Sequence, residues 1–129
     1  TGGFDLSEEF FLGINAAYQV MGMEAELLGE TFSFDAGFYG VALYPQYTVS
    51  DSFALGLRGE LFGYHIEDVD DVPSVFSTTL TGSYTVDNLT IKPEIRMDAW
   101  SEDAEPYLDN DGMPTDSLSV FTLAMVYSF

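Results

Sequence analysis

Three pairs of opposite charge share one spacing. Arg58 is followed two residues on by Glu60, Lys92 by Glu94, and Arg96 by Asp98. Residues two apart on an extended chain share a face. The chemistry open to these groups is therefore ion pairing and the lining of a water-facing surface with mixed charge. Nucleophilic catalysis finds no support, because His65 is the only histidine and no serine and acid are spaced around it as a triad would need. The chain is read as no enzyme. Asp109 and Asp111, in Asp109-Asn110-Asp111-Gly112, could offer oxygen ligands to Ca²⁺, as could Asp68-Val69-Asp70-Asp71. The former lacks the glutamate that closes an EF-hand loop, so no metal is assigned. There is no glycine-rich phosphate loop, and no cofactor is expected.

The chain has 129 residues, enough for one domain, with three basic against 22 acidic side chains and a net charge of −19. So few Lys and Arg exclude nucleic acid as a partner. The 47% of apolar and 16% of aromatic residues exclude disorder. The absence of cysteine excludes a disulfide framework, a thiolate zinc site and a cysteine nucleophile. No apolar run approaches the ~18 residues of a membrane-spanning helix. Strands of a membrane barrel are not excluded by that, since they show only alternation in segments of about ten residues.

Six segments alternate with period two: Phe10 to Val20, Tyr39 to Val49, Phe53 to Leu61, Phe76 to Val86, Leu89 to Met97, and Phe121 to Phe129. In the fifth, Leu89, Ile91, Pro93, Ile95 and Met97 face away from Thr90, Lys92, Glu94, Arg96 and Asp98. Only a strand separates residues in this way. Ser50-Asp51-Ser52 and Asp87-Asn88 suit tight hairpin turns. The remaining connections, Gly22 to Asp35, Gly63 to Ser74 and Ser101 to Asp116, read as long loops and hold 14 of the 22 acids. An alternative has Met23 to Leu28 and Thr31 to Ala36 extending their neighbours, with a turn at Gly29. The fold expected is all-β, an antiparallel up-and-down meander of about six strands. Short turns at one end and long polar loops at the other fit part of a transmembrane β-barrel.

Aromatic placement points the same way. On the apolar face Phe10 and Tyr18, Tyr39 and Tyr47, Phe76 and Tyr84, and Phe121 and Phe129 each stand eight residues apart. At ~3.3 Å per residue and a ~40° tilt, that spacing covers roughly 20 Å of membrane normal, close to a barrel's apolar band. Phe10, Tyr47, Phe53, Tyr84, Tyr127 and Phe129 then form a girdle at the short-turn end. Tyr18, Tyr39, Phe76 and Phe121 form the one at the loop end. The apolar face is expected to meet outer-membrane lipid. Arg58, Glu60, Lys92, Glu94, Arg96 and Asp98 are expected to line a lumen, with the bases across it from the acids.

The chain ends FTLAMVYSF, with Phe121, Leu123, Met125, Tyr127 and Phe129 at alternate positions. This resembles the terminal signal of bacterial outer-membrane barrels that the barrel-assembly machinery reads. A longer resemblance is carried by Leu57-Arg58-Gly59-Glu60, by Asp87-Asn88-Leu89, and by Pro93-Glu94-Ile95-Arg96 with Asp98 and Trp100. These stretches, between Tyr47 and Trp100 and with the terminal segment, are similar to the C-terminal portion of the OmpL-like β-barrel porins. The resemblance implies a barrel in the bacterial outer membrane with diffusion of solutes.

Six strands are fewer than the eight of the smallest single-chain barrel, and open edges in lipid leave backbone groups unpaired. The opening Thr1-Gly2-Gly3 and the turn-like Asp5-Leu6-Ser7 suggest a cut before an upward strand. The expectation is one segment, 1–129, forming the C-terminal strands of a larger barrel that missing strands or further chains complete. The leading function is porin-like passage of small hydrophilic solutes or ions. A structural or adhesive barrel with partner- or Ca²⁺-binding acidic loops is an alternative, and a soluble β-sandwich or lipocalin-like binder is another. The acidity fits either cation preference or adaptation to high salt.

Overall fold

The computed structural model describes residues 1–101 and 104–129, with Leu27 described by its backbone alone. The elements in chain order are β1 (Gly2–Asp5), β2 (Phe10–Leu27), β3 (Glu30–Ser50), β4 (Phe53–Ile66), β5 (Ser74–Val86), β6 (Leu89–Trp100), β7 (Tyr107–Leu108), β8 (Pro114–Thr115) and β9 (Ser117–Tyr127). All are strands. Seven form one antiparallel sheet in the order β1-β2-β3-β4-β5-β6-β9, and β7 pairs with β8 in a small hairpin. Each long strand pairs with the one before it in the chain, apart from the β7–β8 excursion, which is the expected meander.

Two sequence expectations are corrected. The Gly22 to Asp35 stretch is not a loop. β2 and β3 run on through it, pairing without a slip from Phe10↔Tyr47 to Leu27↔Glu30. The turn is Leu28-Gly29, with φ of 54° and 85°, the left-handed pair that a two-residue hairpin demands. The extended reading with a turn at Gly29 is the one realised. The other correction is β1, a seventh strand of the main sheet that pairs Gly2↔Ile14 through Asp5↔Phe11. Gly2 and Gly3 carry no side chain to pattern, so periodicity passes over them. Gly3 leaves room for the Phe11 ring, which a Cβ there would approach to 2.7 Å.

The other links are shorter than expected too. β4 continues to Ile66, and the Ser101 to Asp116 stretch contains the β7–β8 hairpin. Two of that stretch's six acids, Glu102 and Asp103, lie outside the described residues.

The sheet has one wet side and one greasy side, and it curls toward the wet one. Ser77, Thr79 and Asp98 are 3%, 8% and 9% exposed, while Phe76, Leu80 and Met97 beside them on the opposite face are 54%, 48% and 53% exposed. In a flat single layer both faces would be equally open. Burial confined to small and polar residues places the polar face on the concave side. No apolar core lies behind the other face: among the described residues Ala42 is the single buried hydrophobic side chain, and it too is on the concave side. Leu57 and Leu123 stand outward at 46% and 55% exposed. A β-sandwich or lipocalin-like binder would bring them together in a dry interior.

Candidate functional site

Register alone sets the charged groups in rows across the concave face. Arg58 pairs with Thr79 and Thr79 with Arg96, so both guanidinium groups stand in one row. The next row toward the loop end runs Ala42, Glu60, Ser77, Asp98. On the other side of the arginines lies a row of Gly56, Thr81 and Glu94, and beyond it Lys92 pairs with Ala124 of β9. Ascending the wall from the short turns, the sign of charge alternates: Lys92, then Glu94, then two arginines, then two acids.

The pairs lie along the strands. Arg58 bonds Glu60 on its own strand, and Arg96 donates from Nε to Asp98 at 2.9 Å and from Nη2 to the Ser77 hydroxyl at 3.0 Å. Thr81 donates its hydroxyl to Glu94 at 2.9 Å. The sequence expectation set the bases across a lumen from their acids. Two residues apart on one strand they share a wall, so the field they make runs along the strand direction. Lys92 forms no ion pair among the described residues.

Of these groups Arg58, Thr81, Lys92 and Glu94 line an open hollow of about 680 Å³ on the concave face. Asn15 of β2, Gln46 of β3, Arg58 of β4, Thr81 of β5, Lys92 of β6 and Thr122 of β9 all border it. Six strands thus contribute polar groups to one trough.

The aromatic residues named as girdles project from the convex face, apart from Phe129, which lies past the end of β9. Tyr18, Tyr47, Phe76, Tyr84, Phe121 and Tyr127 are exposed, and Phe10, Tyr39 and Phe53 are half-buried. Tyr39 is held by a gap: a Cβ on Gly63 opposite would lie 2.6 Å from its ring. At the short-turn end Phe10 faces Tyr47, Phe53 faces Tyr84 one row lower, and Leu89 faces Tyr127 lower still. At the loop end Tyr18 faces Tyr39, Phe76 stands one row lower, and Phe121 lower again. Both lines of rings descend in the same sense from β2 to β9, which is what strands tilted to a membrane normal require. Leu123 and Met125 continue the outward face of β9, a sheet edge, and Phe129 lies beyond the strand's end.

The other candidates disperse. The Asp109 carboxylate accepts the backbone N–H groups of Asp111 and Met113 at 2.9 and 2.8 Å, capping its own turn. Asp111 stands exposed, and no group of three potential ligands converges on a metal position among the described residues. His65 projects from the convex face and stacks on Tyr18 at 5.4 Å with rings within 6° of parallel.

The sequence reading passed over the upper concave face. Phe62 and Tyr64 continue the phase of Arg58 and Glu60, and Phe38 pairs with Tyr64. Above Val20 the pattern inverts: Met21, Met23 and Phe34 turn concave, while Glu24 and Asp35 turn convex. That inversion was readable from the spacing of Met21, Met23, Glu24 and Glu26.

A trough with alternating charge inside and a tilted double line of rings outside has the sidedness of a membrane-barrel wall. No match was found among curated proteins or among solved structures. A family model does match, over residues 1–129, and the chain belongs to the family described as putative beta-barrel porin-2, OmpL-like.

Proposed function

We propose that this chain forms part of the wall of a bacterial outer-membrane pore that passes small hydrophilic solutes or ions without chemistry. The observation that carries the reading is the sidedness of the sheet: charged rows on the concave face, exposed apolar rings on the convex one. Hydrocarbon accepts the convex face, and a water-filled interior accepts the concave one. The free edges at β1 and β9 are closed by further strands or chains, since unpaired strand edges are costly in lipid. The alternate outward residues of β9, ending near Phe129, serve as the signal for the assembly machinery.

Selectivity follows from charge placement. On the wall the three bases balance Glu60, Glu94 and Asp98. The connections at the loop end are acidic, so cations concentrate at that mouth and anions are repelled. The protein reconstituted in planar bilayers is expected to conduct, with a mild preference for cations at low salt. A closed structural or adhesive barrel would insert and show no conductance, and that result ends the pore reading.

A further inference from the structure

Above the charged rows the water side of the sheet becomes aromatic. Phe62 stands in one row with Gly40, Val75 and Trp100, and Tyr64 in the next with Phe38. The Phe38 and Phe62 rings lie 5.9 Å apart, and Phe62 and Tyr64 meet edge to face at 5.1 Å. Phe62 leans over Gly40, where a Cβ would sit 3.4 Å from its ring. Across Val75, Trp100 donates its indole N–H to the Tyr107 hydroxyl at 3.3 Å. Tyr64 remains 49% exposed. Met21, Met23 and Phe34 share the upper concave face, and the rows below it are polar, so rings gathered here face the water side and not the convex, lipid-facing one.

The surroundings choose the ligand. Glu60 and Asp98, two residues below Phe62 and Trp100 on the same face, are each answered by an arginine, so the uncompensated charge at this mouth is that of the connections. Glu67, Asp68, Asp70 and Asp71 follow β4, and Glu105 and Asp109 follow β6. Ring faces carry negative electrostatic potential and attract cations, most strongly at tryptophan and tyrosine. A neutral sugar would gain only stacking, and an anion would be repelled. A small inorganic cation keeps its water and leaves the rings unused. A cation with apolar substituents uses both features at once.

We propose that Phe38, Phe62, Tyr64 and Trp100 form a binding site for organic ammonium ions at the loop-end mouth. The proposal rests on the reading of the concave face as a water-filled lumen and names the solute class that lumen favours. Trp100 is the only tryptophan of the chain, so its emission reports on the site directly. The full chain, refolded in detergent, is titrated with choline chloride, with sodium chloride, maltose and sodium acetate at matched ionic strength as comparisons. Choline is expected to change the emission saturably and the other three are not. Tyr64→Leu and Phe62→Leu are expected to weaken the choline response about ten-fold, as loss of a cation–ring contact would. Leu57→Ala on the convex face is expected to leave it intact. Should Phe62→Leu not refold, the half-exposed Tyr64 carries the test alone. A maltose response that exceeds that of choline, or a choline response unmoved by the Tyr64 variant, overturns the site. Bilayer conductance of the same preparation separates the two readings: choline binding without conductance keeps the site and removes the pore, and conductance without choline binding does the reverse.

Discussion

Arg58 and Arg96 stand in one row across three strands, with the nearly buried Thr79 between them. Two like charges on one wall repel unless each is answered locally, and each is, by the acid two residues on. The Arg58 and Arg96 side chains remain 45% and 38% exposed, so each pair alone adds little to stability. Their effect is on the potential along the trough.

That balance gives the first prediction. Arg96→Ala leaves Asp98 without its guanidinium partner and adds one net negative charge to the wall. The cation preference measured by reversal potential in a salt gradient is expected to rise, and to fall back toward that of wild type in Arg96→Ala/Asp98→Asn. Lys92→Ala is expected to shift it in the same direction as Arg96→Ala. Unchanged selectivity in both single variants would show that the concave face does not line the conduction path.

Sidedness gives the second. Leu80 and Thr79 are neighbours on β5 with opposite outlooks, 48% and 8% exposed. Leu80→Arg puts a charge near the middle of the convex face, where barrels lose about 2–4 kcal/mol at the bilayer midplane. Leu57→Arg, its cross-strand neighbour, is expected to cost about the same. Glu60→Gln, on the concave face, is expected to stay within roughly 0.5 kcal/mol of wild type. Urea unfolding of the protein in lipid vesicles measures all three. Equal losses at Leu80 and Glu60 would contradict the assignment of lipid to the convex face.

The third concerns Tyr44 and Gly13, which pair across β2 and β3. The Tyr44 ring occupies the space that any side chain on Gly13 would need. Gly13→Val must drive that ring from its position in the wall of the hollow, an overpacking cost of about 1–3 kcal/mol. Gly59→Val, on a glycine with open space around it, is expected to be tolerated or mildly favourable. A midpoint of denaturation lowered by Gly13→Val alone is the expected outcome.

Much of this arrangement was legible in the residues, and the failures have physical causes. β4, β5, β6 and β9 were readable because a barrel wall separates its two sets of side chains between solvents as different as water and hydrocarbon. The alignment of Arg58 with Arg96 depends on register between strands, which spacing within one strand does not contain. Bases and acids do not oppose each other across the lumen, because an i, i+2 pair on one strand stands side by side on one wall. The upper halves of β2 and β3 looked like loops because their greasy residues change face at Met21. Phe62 and Tyr64 are hard to read from spacing because they put rings on the face that Arg58 and Glu60 mark as polar.

The change of face yields the last prediction, on where the lipid ends. Below Val20 the convex residues of β2 are Phe10, Leu12, Ile14, Ala16 and Tyr18; above it they are Gly22, Glu24 and Glu26. Carboxylates on the convex side cannot sit in hydrocarbon, so the hairpin from Met21 to Asp35 stands clear of the membrane, over about seven residues or roughly 20 Å along the strand. The chain has no cysteine, so single cysteines report without background. In intact vesicles, Leu12→Cys and Ile14→Cys are expected to resist a charged maleimide. Glu24→Cys and Met23→Cys, on opposite faces of the same hairpin, are both expected to react quickly. Protection of Glu24→Cys at the level of Ile14→Cys would move the membrane boundary up the hairpin and take the aromatic patch of Phe38 and Tyr64 down into the span.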